Sequence, residues 1–233
     1  MVGTDPCDVL DLGAGAGALT AVALTAGHRV VAVDPSAAML HELVASTPTA
    51  AAVQCPAEAL PFRPASFDVV TVATAFHWFD PKKALPEIAR ALRGGGRLSL
   101  TWGTRDESDG WPRRLGELLR SVQPASLMGD WATGSVTSVE RSELFQALEY
   151  AEFPLVQRID RGGLLGLVAS RSYVMALDSR VRERLLADVG ALFDETVAAD
   201  GSADRPEQND IALPYRAQCW RVALTAVATR RRG

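Results

Sequence analysis

Asp11, Gly13, Gly15 and Gly17 lie in the stretch Asp8 to Thr20, DVLDLGAGAGALT, where an acid and three closely spaced glycines follow the apolar pair Val9-Leu10 and precede a run of helix formers. Glycines between a strand and a helix allow backbone angles that other residues resist, and they let a ligand approach the main chain. The free N–H groups at the start of the helix favour an anionic group. Gly13-x-Gly15-x-x-Ala18 also fits the dinucleotide fingerprint in its G-x-G-x-x-A form. Asp11 separates the two ligands. A carboxylate at the mouth of the turn repels a pyrophosphate but suits a ligand with an ammonium group. S-adenosylmethionine has an amino group, a carboxylate and a sulfonium, and no phosphate. The competing reading is a helix-capping Asp beside a purely structural turn.

Asp34 closes the second apolar run, Val30-Val31-Ala32-Val33, about twenty residues beyond the first glycine. A carboxylate there can accept both hydroxyl protons of a ribose, or it can cap the helix that starts at Pro35-Ser36, and both roles are compatible. His77 and Trp78 follow the fourth apolar run. His77 is the candidate general base, since imidazole titrates near neutrality; equally, the pair can form a pocket wall. Trp78 or Phe79 could also face a sulfonium through a cation–π contact. His28, His41 and His77 have no metal-ligand spacing with carboxylates or cysteines, so no metal is expected. The G-x-S-x-G elbow of hydrolases and the G-x-x-x-x-G-K-[ST] loop of nucleotide triphosphatases are both missing from the sequence.

The elements that must position these residues follow from periodicity. Apolar runs predict strands ending at Asp11 and at Asp34, then at 51–54, 67–73 and 97–102. Helices are expected from Ala18, over 36–45, where Met39 could touch an adenine but at helical spacing fits the core, and over 81–91, with Arg93-Gly94-Gly95-Gly96 ending the last of them. Strand and helix alternate throughout, which implies an α/β doubly wound sheet with right-handed crossovers. In such a sheet ligands sit beyond the carboxyl ends of the strands, so the 74–80 segment should face the glycine turn. Further on, the pattern predicts a helix over 110–119, a loop over 124–138 and a short helix over 142–150. A sixth strand over 153–159, helices over 164–177 and 181–199, a polar loop over 200–209 and a last strand over 217–224 complete it.

DLGAGAG, VVAVDPS, AEALPF, FDVVTVATAFHWFD and ARALRGGGRLSLTW occur in an order and spacing that resemble the class I S-adenosylmethionine-dependent methyltransferases, in particular the type 11-like small-molecule branch. These motifs cover roughly the first 105 residues, and SRSYV and LPYRAQCW also look like that branch. The resemblance implies a mostly parallel seven-stranded Rossmann-like sheet with the last strand antiparallel beside the fifth. It implies that Asp11 and the loop of Gly13, Ala14, Gly15 and Gly17 hold the methionyl part of S-adenosylmethionine, and that Asp34, with Pro35 beside it, takes the ribose. Ala57 and Glu58 would lie beside the adenine, while Thr74, Ala75, His77 and Trp78 would line the place where methyl donor meets acceptor. Two departures from the pattern are visible. Pro56 stands where relatives often have an acid that accepts the adenine amino group, which transfers adenine recognition to the backbone of Ala57 and Glu58 and predicts weaker cofactor binding. The upstream helices that usually cover the cofactor do not precede Asp8 in this sequence, so either the true start lies further upstream or the site is open on one side.

The bulk composition agrees with a globular enzyme. The 233 residues, 48% hydrophobic and 22% charged, suffice for one domain with helical insertions in its C-terminal half. That domain is expected to comprise a cofactor core over 1–105 and an acceptor-side part over 106–233. A net charge of −4 argues against a nucleic-acid partner. Cys7, Cys55 and Cys219 fit no disulfide framework, and no stretch is long and apolar enough for a membrane span, so a cytoplasmic enzyme is expected. The sequence carries no signal for an oligomeric state. Three function classes remain: transfer of a methyl group to a small-molecule acceptor, cofactor binding without catalysis, and a nicotinamide-dependent oxidoreductase. Asp11 and the lack of a Tyr-x-x-x-Lys pair count against the third.

Overall fold

A computed structural model describes residues 5–108, 110–124, 131–199 and 210–225. The chain alternates β1 (Asp8–Leu12), α1 (Ala18–Thr25), β2 (Arg29–Asp34), α2 (Ala37–Ser46), β3 (Ala51–Gln54) and β4 (Phe67–Ala73). A 3-10 turn (Phe76–Trp78) then leads to α3 (Pro81–Ala91) and β5 (Leu92–Arg105). There follow α4 (Gly110–Val122), α5 (Trp131–Glu140), β6 (Glu149–Asp160), α6 (Arg161–Ala169), α7 (Ser172–Met175), α8 (Ser179–Ala199) and β7 (Asp210–Ala223).

The seven strands form one sheet in the order β3-β2-β1-β4-β5-β7-β6. β1 pairs in parallel with both β2 and β4, placing Asp11 opposite Ala32 on one side and Thr71 on the other. The chain therefore winds outward in both directions from β1, and the β1/β4 boundary is the switch point at which such sheets bind ligands. β7 runs antiparallel to β5: the Leu224 N–H donates to the Gly96 carbonyl, and the Asp106 N–H to that of Pro214. β6 is antiparallel to β7 in turn, joined by a Phe145–Leu224 bridge beyond its start. This is the mostly parallel seven-stranded sheet that the motifs imply.

Two compact units divide the chain. The first comprises Met1–Trp102, Asp130–Glu152 and Gln218–Gly233; the second comprises Gly103–Gly129 and Phe153–Ala217. In the first, strand residues Leu10, Leu12, Val70, Leu98 and Leu100 pack with Leu85 and Ile88 of α3. α3 presents that face because Ala84, Leu85, Ile88 and Ala91 recur at helical spacing, while Asp80 caps its start by accepting from the Lys82 N–H at 3.0 Å. In the second unit, Leu115 and Leu119 of α4, Leu164 and Val168 of α6, and Leu185, Val189 and Leu192 of α8 form a separate core.

Several boundaries differ from expectation. β5 starts at Leu92 rather than Arg97, because Arg93–Gly96 does not simply end the helix. The register slips between Phe67 and Val69, a bulge that the glycines accommodate. At Gly96 a Cβ would stand 2.9 Å from the Arg93 carbonyl oxygen. Part of the 124–138 loop is α5, whose Gly, Ser and Thr content hides a helix that burial of Ala132 and Val139 sustains. The 142–150 segment is a turn leading into β6 rather than a helix, since Phe145 and Gln146 pair with the end of the last strand. Helix 164–177 is two helices, α6 and α7, and the last strand begins at Asp210. Met39 lies on the outer side of α2, 42% exposed, rather than in the core. The polar loop 200–209, which follows the C-terminal end of α8, lies outside the described residues.

Candidate functional site

Within the first unit the carboxyl ends of β1, β2, β3 and β4 all reach the same edge of the sheet, because these strands are parallel and in register. Beyond β1 the chain turns through Gly13, Gly15 and Gly17, all with positive φ. The three glycines do different work. A Cβ on Gly13 would come within 2.5 Å of the Ala75 Cβ, and one on Gly17 within 2.6 Å of the Leu43 Cγ, so both are packed against the protein. A Cβ on Gly15 would meet nothing within 4 Å. Gly15 is thus the point where the turn faces open space.

The turn is held from two sides. The Gly13 and Ala14 N–H groups donate to the Val33 carbonyl, at 2.8 and 3.0 Å. The Gly15 N–H donates to Asp34 Oδ2 at 2.9 Å, and the other oxygen of Asp34 accepts from the Ser36 N–H at 2.8 Å. Asp34 therefore ties the turn to the start of α2, where Ser36 is the cap, and it does so with free lone pairs remaining. Pro35 is exposed beside it, and its carbonyl accepts from Gln54 Nε2.

Asp11 is set beneath the turn rather than at its mouth. It is 1% exposed, and its carboxylate accepts from the hydroxyls of Thr20 at 2.6 Å and Thr71 at 3.3 Å. Burial raises its pKa, opposed by the Thr20 and Thr71 hydrogen bonds and reinforced by the neighbouring Asp34 charge. Thr20 lies in the first turn of α1, whose own cap position, Gly17, offers no side chain. Asp11 thereby supplies the missing cap, as well as a negative charge with no cation beside it among the described residues.

After β3, Ala57 is buried, and Glu58 turns its side chain to accept from the Asp80 N–H at 2.8 Å. After β4, Thr74 continues the ladder by donating its N–H to the Thr101 carbonyl, and adopts φ 53. A β-branched residue in the left-handed region is a strained arrangement that tertiary structure must enforce, and such residues gather at ligand sites. The next residues form the 3-10 turn. His77 stacks obliquely on Trp78 with ring centres 4.9 Å apart, and Trp78 is 80% exposed. Burial lowers the pKa of His77, leaving its imidazole neutral at neutral pH.

A cavity of about 290 Å³ is lined by Phe76, His77, Phe79 and Pro81 on one side and by Ser135 and Ser138 of α5 on the other. The α5 residues escape sequence reasoning, since nothing in a Gly-Ser-Thr stretch marks it as a helix or a pocket wall. Among the described residues no cluster of three or more His, Cys, Asp or Glu could hold a metal, and no helix is long and apolar enough to cross a membrane.

Comparison with known proteins agrees with this geometry. Residues 10–100 match a family described as a methyltransferase domain. A methyltransferase of Mycobacterium tuberculosis, itself uncharacterised, is 41% identical over 216 residues, covering 93% of this chain and 83% of that protein. A methyltransferase-like protein of Schizosaccharomyces pombe is 31% identical, covering 78% and 70%. Among solved structures, a candidate type II methyltransferase from Anaeromyxobacter dehalogenans superposes with a TM-score of 0.66 at 25% identity, covering 93% of this chain and 89% of the other.

Proposed function

The chain belongs to the class I S-adenosylmethionine-dependent methyltransferases, and from that premise we propose that it methylates a small-molecule acceptor, with the cofactor held at the carboxyl edge of β1, β2 and β4. The observation that carries the placement is Gly15, the one glycine of the turn that borders open space, with its N–H fixed by Asp34. The residues fit the cofactor. Asp34 has lone pairs left for the two ribose hydroxyls, and the Asp11 charge lies under the turn where an ammonium group would rest. Ala57 and the Glu58 backbone are left to the adenine, with Glu58's side chain engaged by Asp80 and Pro56 in place of an acid.

S-adenosylmethionine supplies an activated methyl group on a sulfonium, so the protein's task is alignment and exclusion of water. The strained Thr74 and buried Ala75 fix the path of the chain into the 3-10 turn, and that turn sets His77 on the wall of the cavity. There a neutral His77 can take the proton from an acceptor oxygen or nitrogen. Because burial depresses its pKa, this capacity persists above the ordinary imidazole value and is lost only on acidification below it.

Incubation with methyl-labelled S-adenosylmethionine and a panel of small acceptors tests the reading. Label should appear in an acceptor, and His77→Gln should lower turnover by about a hundredfold without changing affinity for S-adenosylhomocysteine. Binding of S-adenosylhomocysteine with no label transferred to any acceptor would favour cofactor binding without catalysis.

A further inference from the structure

A second cavity, of about 410 Å³, lies between the start of α3 and the end of α5, and it shares Pro81 and Ser138 with the one that His77 lines. Its charged rim is not balanced by the protein. Lys82 and Arg141 both line it, and neither side chain makes an ion pair or hydrogen bond among the described residues. The one acid on the wall, Asp80, is already engaged: Oδ1 accepts from the Lys82 N–H at 3.0 Å, and Oδ2 lies 3.9 Å from Lys83 Nζ. Ser142 accepts at its hydroxyl from the Leu144 N–H at 3.4 Å, which leaves its own proton to donate. The cavity thus presents donors and positive charge above an apolar floor that includes Leu85 and Leu144.

We infer that the methyl acceptor carries an anionic group, a carboxylate or phosphate, which Lys82 and Arg141 hold in this second cavity while its reactive end lies beside His77. The inference rests on the methyl-transfer reading above and adds the acceptor's chemical class. Two cationic side chains on one cavity, against the single acid Asp80 that already accepts from the Lys82 N–H, favour an anion over a neutral group, and the guanidinium can grip either oxyanion in a bidentate manner. The apolar floor accommodates a ring or a short chain between the anion and the methylated atom. Two cavities with common walls allow one molecule to occupy both.

The protein saturated with S-adenosylhomocysteine is titrated separately with benzoate, phenyl phosphate and benzamide while backbone amide shifts are followed by NMR. Saturable shifts are expected in Lys82 to Leu85 and in Ser138 to Leu144, with at least one of the two anions binding about tenfold more tightly than benzamide. The tighter of the two anions identifies the headgroup. Arg141→Gln should reduce that anion to the benzamide level, Lys82→Gln should weaken it less, and Arg141→Lys should restore part of the difference. Both side chains are exposed, so the variants should keep the parent spectrum. Benzamide binding as tightly as the anions, shifts confined to other segments, no saturable binding of either anion, or undiminished anion affinity in Arg141→Gln would each overturn the inference. Failure to bind S-adenosylhomocysteine at the outset would instead sink the methyl-transfer reading.

Discussion

At the amino end of β1, Asp8 accepts from Arg29 Nε at 2.6 Å and from Arg93 Nη1 at 2.8 Å, and Arg93 also reaches Asp68 at 2.8 Å. Three residues further along the same strand, Asp11 has only hydroxyl and amide partners, and its neighbour Asp34 has only backbone N–H groups. Arg29 and Arg93 hold the Asp8 carboxyl down at about 2, whereas burial pushes Asp11 up. The protein has thus neutralised Asp8 at one edge of the sheet and, among the described residues, left Asp11 and Asp34 without a cation at the other. Where compensation is internal, the carboxylates serve stability. Where it is withheld, the edge is suited to a ligand that brings its own positive charge.

The largest effect that sharpens this contrast should come from the glycine turn. Gly13→Ala forces a Cβ to within 2.5 Å of Ala75 at φ 74, and it should lower stability by about 3 kcal/mol as well as abolish binding of S-adenosylhomocysteine. Gly15→Ala meets no protein atom, so it should cost only about 1 kcal/mol in a thermal melt while still weakening the ligand strongly in a calorimetric titration. Equal losses of stability in the two variants would break the distinction between packed and ligand-facing glycines.

Asp11→Asn is the next test. It keeps an acceptor for Thr20 but removes the charge. A raised folded pKa means that ionised Asp11 costs stability as pH rises, so the neutral amide should leave thermal stability within about 1 kcal/mol of the parent at neutral pH. Affinity for S-adenosylhomocysteine, which retains the ammonium, should fall about tenfold. Unchanged affinity would reduce Asp11 to a helix cap.

The smallest effect belongs to the amino edge. Asp8→Asn should lower stability by about 1 kcal/mol at neutral pH, since the pair partners are largely exposed, and leave ligand affinity unchanged. The folded pKa of Asp8 is depressed, so its contribution is present above the ordinary carboxylate value and lost as pH falls through about 2. The stability difference between parent and variant should therefore vanish in acid denaturation curves over that range.

Much of the carboxyl edge is legible in the sequence. β3, β4 and α3 begin and end where the apolar runs and their Pro and Asp boundaries indicate, because local pattern and tertiary packing agree there. The roles of the individual glycines are not legible, since they depend on Ala75 and Leu43 from distant parts of the chain. The same holds for α5, where packing against the 3-10 turn overrides weak helix formers, and for the Glu58 side chain, which a partner 22 residues away turns toward Asp80. Thr74 gives no warning of its φ, because strain of that kind is imposed by the surrounding fold.

The most direct measurement is a calorimetric titration of the protein with S-adenosylhomocysteine and with NAD, repeated in Asp34→Ala. S-adenosylhomocysteine should bind with one-to-one stoichiometry, lose about a hundredfold in affinity in the variant through the broken turn and the missing ribose acceptor, and not be displaced by NAD. Binding of NAD alone, or an S-adenosylhomocysteine affinity indifferent to Asp34, would contradict the placement of the cofactor at this edge of the sheet.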